Sequence, residues 1–226
     1  MLVNGTHYKT VWMEGNAVKT IEQRKLPHCF EIVSLNNHIE TAEAIRNMTV
    51  RGAGAIGVTG GYGLAQAAIE AKEIQDIFSA AETLKNTRPT AQNLFSAIDR
   101  ILAKVKGCHD LQEARIAATI EANKIADDDS NACKVIGEHG VNLIKDGFNI
   151  LTHCNAGWLA FCDWGSALSP IYAASRQNKE VFVYVDETRP RCQGAKLTAW
   201  ELAGEKIKHA IIADNAAGFY MQKGKV

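Results

Sequence analysis

Beyond Gly147 the chain changes its hydrophobic pattern, and this change limits the fold more than any other feature. Apolar runs of strand length, Asn149 to Thr152, Glu180 to Val185 and Ala210 to Ala213, alternate with stretches of helical period. Strands buried on both faces and spaced by about 30 residues are what βαβ units of a parallel sheet require. In such a sheet ligands bind outside the carboxyl ends of the strands. Those ends read His153-Cys154-Asn155-Ala156-Gly157, Asp186-Glu187-Thr188-Arg189-Pro190 and Asp214-Asn215-Ala216. Polar and reactive side chains therefore gather where the fold places a site. Three such strands precede Lys223-Gly224-Lys225-Val226, where a fourth would be expected to begin, so the sheet is expected to be cut short.

The part before Gly147 reads differently. Residues 6 to 34 alternate β-prone pieces, Tyr8 to Met13 and Phe30 to Ser34, with turn residues, which predicts a small antiparallel sheet. From Thr41 to Gly147 the period is helical. Thr41 is a candidate cap for a helix running through Met48, and Asp110 with Glu113 has the form of a capping box. Leu94, Ile98, Ile101, Leu102 and Val105 make an apolar stripe that ends before Gly107. The expected organisation is an α/β protein, with a small β and helical domain over residues 1–146 and the first part of a parallel α/β domain over 147–226.

The charge balance narrows the function. With 25 Lys and Arg against 25 Asp and Glu, the chain has no net field to recruit nucleic acid or anionic lipid. The first residues lack the basic start and apolar stretch of a signal peptide, and no apolar run approaches a membrane span, so a cytosolic protein is expected. Six cysteines without a C-x-x-C pair fit reduced thiols.

Five segments offer chemistry. Gly52-Ala53-Gly54-Ala55-Ile56-Gly57 matches G-x-G-x-x-G, yet a helical stretch precedes it where a dinucleotide site needs a strand. The remaining readings are a helix N-terminus that holds a phosphate with Arg51, or close helix packing through small residues as far as Gly63. Arg88 precedes Pro89 at a helix entry, where it could serve a ligand or a surface ion pair. Cys154 follows a buried strand and precedes a glycine turn, so its thiol either faces a ligand or fills core. His153 is not its partner, because adjacent strand residues point to opposite faces unless the strand has already ended. Nor do His153, Cys154, Cys162 and Cys192 have the paired spacing of a structural zinc site. Glu187, Arg189, Arg191 and Gln193 crowd one loop, more hydrogen-bonding groups than solvation alone explains. Asp127-Asp128-Asp129 is read as solvated helix surface, since consecutive helical side chains diverge.

Taken together, Val50-Arg51-Gly52-Ala53, Arg88-Pro89-Thr90-Ala91-Gln92-Asn93-Leu94, Thr152-His153-Cys154-Asn155-Ala156-Gly157 and Glu187-Thr188-Arg189-Pro190 through Gln193 to Leu202 resemble the methylthioribose-1-phosphate isomerase family of methionine salvage. That family shares a superfamily with ribose-1,5-bisphosphate isomerase and with regulatory subunits of an initiation-factor nucleotide-exchange complex. The resemblance implies a helical N-terminal domain and a Rossmann-like αβα C-terminal domain, here incomplete. It implies an aldose-ketose isomerase, an intramolecular oxidoreductase that needs neither metal nor redox cofactor. Arg51, Gly52, Ala53, Arg88 and Gln193 would bind the sugar phosphate, and Cys154 would be the catalytic thiol. It also implies a homodimer that binds no nucleic acid and no membrane. Gly54 stands where the family usually has Pro. The family's catalytic Asp and an Asn-Lys pair would follow Val226, so these 226 residues alone are expected to be inactive; Asp214 matches a different motif and does not take that role. Other readings are a non-catalytic regulatory member, or an isomerase of 5-deoxyribose 1-phosphate or ribose 1,5-bisphosphate.

Overall fold

A computed structural model describes all residues, Met1–Val226. Backbone contacts divide the chain into two compact units: one holds Lys9–Lys25 and Phe30–Asp129, the other Met1–Tyr8, Leu26–Cys29 and Ser130–Val226. The expected fold class is present, with small antiparallel sheets and helices followed by a parallel sheet. Leu2–Val3 (β1) and Thr6–His7 (β2) pair as a short antiparallel ribbon.

The unit around Lys9–Asp129 opens with an antiparallel sheet of Val11–Glu14 (β3), Ala17–Ile21 (β4) and Ile32–Leu35 (β5), in the order β3-β4-β5. The outer strands lie within two or three residues of the β-prone pieces in the sequence, whereas β4 is not foreseen, because Lys19 and Thr20 weaken its apolar signal. His38–Arg46 (α1) starts earlier than expected. Its cap is Asn37, whose side chain accepts the Glu40 N–H at 2.9 Å, rather than Thr41, which lies buried inside the helix and donates to Gln66 at 2.6 Å. Ala53–Glu70 (α2), Ile74–Lys85 (α3) and Gln92–Val105 (α4) follow, then Leu111–Gly140 (α5), whose residues from Ser130 onward belong to the other unit.

Helix α4 buries Leu94, Ile98, Ile101, Leu102 and Val105, as the stripe required. Its main neighbour is α2. The contact is close because α2 is glycine-rich: a Cβ at Gly60 would run into Leu94 Cδ1, and one at Gly57 would lie 3.0 Å from the Asn93 carbonyl oxygen. Packing by small residues is thus part of what the glycine segment does. Asp110 accepts the Glu113 N–H at 2.8 Å, but Glu113 reaches back to the His109 N–H, one residue short of the reciprocal bond of a capping box. Asp127 and Asp128 lie exposed and pair with Lys9 at 3.8 Å and Arg100 at 2.9 Å, as a solvated helix face would.

In the other unit, Asn149–Thr152 (β6), Phe182–Asp186 (β7) and Lys208–Ile212 (β8) form a parallel sheet in that order. Ser169–Arg176 (α6) crosses from β6 to β7, with Pro170 in its first turn. A π-wound turn, Gly194–Thr198, runs straight into Ala199–Gly204 (α7) between β7 and β8, and Ala217–Gln222 (α8) follows β8. Trp158, Leu159, Tyr172, Val183, Val185 and Leu202 are fully buried in this unit. No helix is long and apolar enough to cross a membrane.

Candidate functional site

All three strands of a parallel sheet present their carboxyl ends at one edge, and the residues just past those ends build a hydrogen-bonded polar cluster. Strand β6 stops at Thr152, so Cys154 sits two residues beyond it, in a turn rather than at the strand's last position. Its φ is +65°, a left-handed conformation that L side chains seldom adopt. Thr188, with φ +52°, and Cys192, with φ +57°, share that conformation after β7. Three such non-glycine residues at one sheet edge imply that long-range bonds hold the backbone there.

Those bonds are specific. The Cys154 N–H donates to Thr188 Oγ1 at 2.8 Å, and the Cys154 carbonyl accepts from Thr198 Oγ1 at 2.8 Å. One threonine therefore grips each side of the residue that carries the thiol. Thr198 in turn accepts from Asn155 Nδ2 at 3.1 Å, and the same amide donates to Glu201 Oε1 at 2.7 Å. The other carboxylate oxygen of Glu201 accepts the Trp158 N–H at 2.8 Å and the Tyr172 hydroxyl at 2.6 Å. Glu201 is 1% exposed. Burial pushes its carboxyl up to about 7, against the pull of Tyr172, Asn155 and the N–H groups of Trp158 and Leu159, which favour the ionised form. Burial also raises Tyr172 well above its ordinary value, with the Glu201 charge adding to the effect.

A second set of bonds fixes the β7 loop. Asp214 accepts the N–H groups of Thr188 at 2.7 Å and Arg189 at 2.8 Å. The Arg189 N–H, followed by that of Thr188 and the nearby His153, holds the Asp214 carboxyl below its ordinary value. His153 pairs through Nδ1 with Asp186 at 3.0 Å, although it too lies past the end of β6, where the alternation of strand faces no longer separates it from Cys154. Ligand atoms of His153, Asp186 and Asp214 lie within 4.8 Å of one another, a spacing open to a cation. His153 and Asp186 bond to each other and Asp214 is held by two backbone N–H groups, while Asp186 Oδ1 is buried without a hydrogen-bond partner. Gly194 starts the π-wound turn where its Cα passes against the Asp186 carbonyl, so that any Cβ would collide with it. π turns of this kind are frequent at functional sites. Gln193, just before it, is half-buried and its Oε1 has no hydrogen-bond partner.

In the other unit, Arg51 and Gly52 precede α2 and Ala53 is its first residue. Gly52 takes φ +94° and ψ +146°, open to glycine alone, and no side chain caps the helix. A loop after α1 precedes Gly52, so the dinucleotide reading of the glycine segment has no strand to stand on. The free N–H groups of the first turn and the positive helix end suit an anion. Arg88 is half-buried ahead of α4, and its Nη1 is buried without a hydrogen-bond partner. Pro89 lies in a turn closed by the Ala91 N–H on the Arg88 carbonyl at 3.0 Å, ahead of the helix rather than in its first turn as expected.

Sequence reasoning assigns no role to Thr188, Thr198, Asp186, Tyr172 or Glu201. Thr198 and Glu201 lie three residues apart, which puts them on one face of a helix. That spacing, after a reactive strand end, is the signal from which the pair could be found.

The chain matches the family described as "Initiation factor 2 subunit family" over residues 49–226. It is 49% identical over its whole length to a protein of Methylorubrum populi named "Methylthioribose-1-phosphate isomerase", of which it covers 64%. A crystal structure of 5-methylthioribose 1-phosphate isomerase from Pyrococcus horikoshii superposes with a TM-score of 0.86 at 41% identity, covering 98% of this chain and 64% of that one. Another, of the translation initiation factor eIF-2B, subunit delta, from A. fulgidus, gives 0.86 at 39% identity, covering 97% and 66%. The chain thus spans a little under two thirds of the curated relatives it matches. With residues 49–226 matched by the family and relatives 42–49% identical along the whole chain, the chain belongs to the Initiation factor 2 subunit family.

Proposed function

We propose that the protein is an aldose-ketose isomerase that converts 5-methylthioribose 1-phosphate to 5-methylthioribulose 1-phosphate in methionine salvage, as a cytoplasmic homodimer. The observation that carries this reading is the Cys154 turn: a thiol held in a left-handed backbone at the carboxyl end of a parallel strand, gripped by Thr188 and Thr198. Relatives that bear the isomerase name are 42–49% identical to this chain.

Each residue has a role. The N–H groups of Gly52 and Ala53, with the Arg51 guanidinium, donate to the phosphate oxygens, and Arg88 directs its unpartnered Nη1 to another of them. Gln193 offers Oε1 to a sugar hydroxyl. Because the phosphate occupies the anomeric oxygen, an acid must protonate the ring oxygen as the ring opens. Hydrogen then moves between C2 and C1, either as a proton through an enediol or as a hydride, with the Cys154 thiol beside these carbons. The chemistry calls on no metal or redox cofactor.

The test is conversion of 5-methylthioribose 1-phosphate, followed by proton NMR, by the protein that carries this chain and by its Cys154→Ser variant. Loss of 100-fold or more in kcat is expected, within the range of about 10²–10⁴ that a positioned acid-base group supplies. An undiminished rate overturns the assignment of Cys154. The equal likeness to the initiation-factor subunit of A. fulgidus favours a second reading, a non-catalytic regulatory subunit. No conversion of this substrate, 5-deoxyribose 1-phosphate or ribose 1,5-bisphosphate would favour it.

A further inference from the structure

We propose that Glu201 is a positioning residue that sets the Cys154 turn through a one-way relay of hydrogen bonds across Asn155 and Thr198. The inference rests on the reading of Cys154 as the reacting thiol.

The direction of the relay follows from donor and acceptor counting. The Thr198 hydroxyl has one hydrogen and gives it to the Cys154 carbonyl, so toward Asn155 it can only accept. Asn155 must then present its amide nitrogen, whose two hydrogens go to Thr198 and Glu201. This orientation holds only if the atom of residue 201 facing Asn155 is an acceptor. Glu201 meets that demand while its second oxygen accepts from the Trp158 N–H and Tyr172. A carboxyl group, ionised or with its one proton on the oxygen at Tyr172, still offers Asn155 an acceptor; an amide whose oxygen faces the Trp158 N–H does not. In Glu201→Gln the amide oxygen turns to the Trp158 N–H, a backbone donor fixed in place, and the amide nitrogen is left facing the Asn155 nitrogen. Asn155 then flips, its oxygen faces Thr198, and the hydroxyl turns from the Cys154 carbonyl to the new acceptor. The left-handed turn at Cys154 loses one of its two holds.

Space around the relay enforces the same geometry. A Cβ on Gly157 would collide with Glu201 Oε2, so the chain closes one side of the carboxylate. Burial to 1% also keeps water from replacing a lost partner.

The experiment measures two things on wild type, Glu201→Gln, Thr198→Val and Thr198→Ser. The first is the rate at which iodoacetamide modifies Cys154, resolved by peptide mass spectrometry, with exposed Cys29 as internal reference. The second is kcat and KM for 5-methylthioribose 1-phosphate in the protein that carries this chain. Glu201→Gln and Thr198→Val are expected to change the Cys154 rate five-fold or more relative to Cys29. They should lower kcat by about ten-fold or more with KM within two-fold, the pattern of a displaced reacting group. Thr198→Ser, which keeps the hydroxyl, is expected to stay within two-fold of wild type in both. A Cys154 rate unchanged in Thr198→Val, or not rescued in Thr198→Ser, overturns the relay, even where Glu201→Gln does not fold. An unchanged turnover in Cys154→Ser overturns the catalytic role of the thiol instead, and the modification rates still judge the relay.

Discussion

At the scale of single residues, the site is built from backbone conformations that the amino acids present do not favour by themselves. Thr188 is β-branched and still takes φ +52°, which costs on the order of 1–3 kcal/mol unless the surroundings impose it. Here the Asp214 carboxylate holds its N–H, and the Cys192 N–H holds its carbonyl at 2.7 Å. The bond at its N–H is not visible locally in the sequence, because it comes from a residue 26 positions away. What is legible is the place of Cys154 just after a strand; strand alternation does not decide the role of His153, because β6 ends at Thr152, before both residues. Gly157 carries a sharper prediction. Its φ is ordinary, at −87°, so conformational freedom is not why it is glycine. The reason is space: a Cβ would meet Glu201 Oε2 and lie 2.7 Å from the Tyr172 hydroxyl. Gly157→Ala is therefore expected to cost about 3 kcal/mol in urea denaturation, the upper part of the range for overpacked interiors. A loss below about 0.5 kcal/mol, as for an inert surface change, would show that the carboxylate has room to move.

At the scale of elements, periodicity carries the strongest readings and end signals the weakest. The α4 stripe repeats over three turns and every member is buried. The start of α1 is ambiguous in sequence because Asn37 and Thr41 are both good caps, and only the tertiary bond from Thr41 to Gln66 decides between them. The helix over residues 194–204 is legible as a helix, but its π-wound first turn is not, since it arises from the close pass of Gly194 against the Asp186 carbonyl. This element carries a pH dependence. Folding raises the Glu201 carboxyl from 4.5 to about 7, so the folded chain binds that proton more tightly than the unfolded one. Its contribution to stability is fully present below pH 4.5 and is lost as the pH rises through about 7. The groups that face it are Tyr172 and Asn155, with Arg176 and Glu205 acting through Tyr172. Relative to Glu201→Gln, which cannot titrate, the wild type is expected to lose about 3 kcal/mol across that interval. Parallel stability profiles of the two proteins from pH 4.5 to 7.5 would contradict a carboxyl held protonated by burial.

At the scale of the whole molecule, a parallel sheet is legible because short apolar runs alternate with helical stretches, although Ile211 of β8 is left half exposed, and the balance of 25 basic against 25 acidic residues leaves no net field to draw in a polyanion. The division into compact units is harder to read, because the 30-residue helix α5 runs across the junction at residues 129 and 130 with no break in its pattern. The short segments Met1–Tyr8 and Leu26–Cys29 also join residues more than a hundred positions away. Neutral overall charge makes recognition of a phosphate depend on local groups, since no long-range field assists it. Arg51 and Arg88 are those groups in the proposed function. A ligand that binds only the folded chain stabilises it by about 2.7 kcal/mol at one hundred times its Kd, which for a chain of this size moves the melting temperature by about 5–10 °C. A shift of that order is expected with 5-methylthioribose 1-phosphate and not with an equal concentration of 5-methylthioribose, which lacks the phosphate. Arg51→Ala and Arg88→Ala should each reduce it, since each removes charge-assisted bonds to the same group. Equal shifts with the phosphorylated and unphosphorylated sugar would mean that the arginines do not grip a phosphate, and the substrate assignment would fall with them.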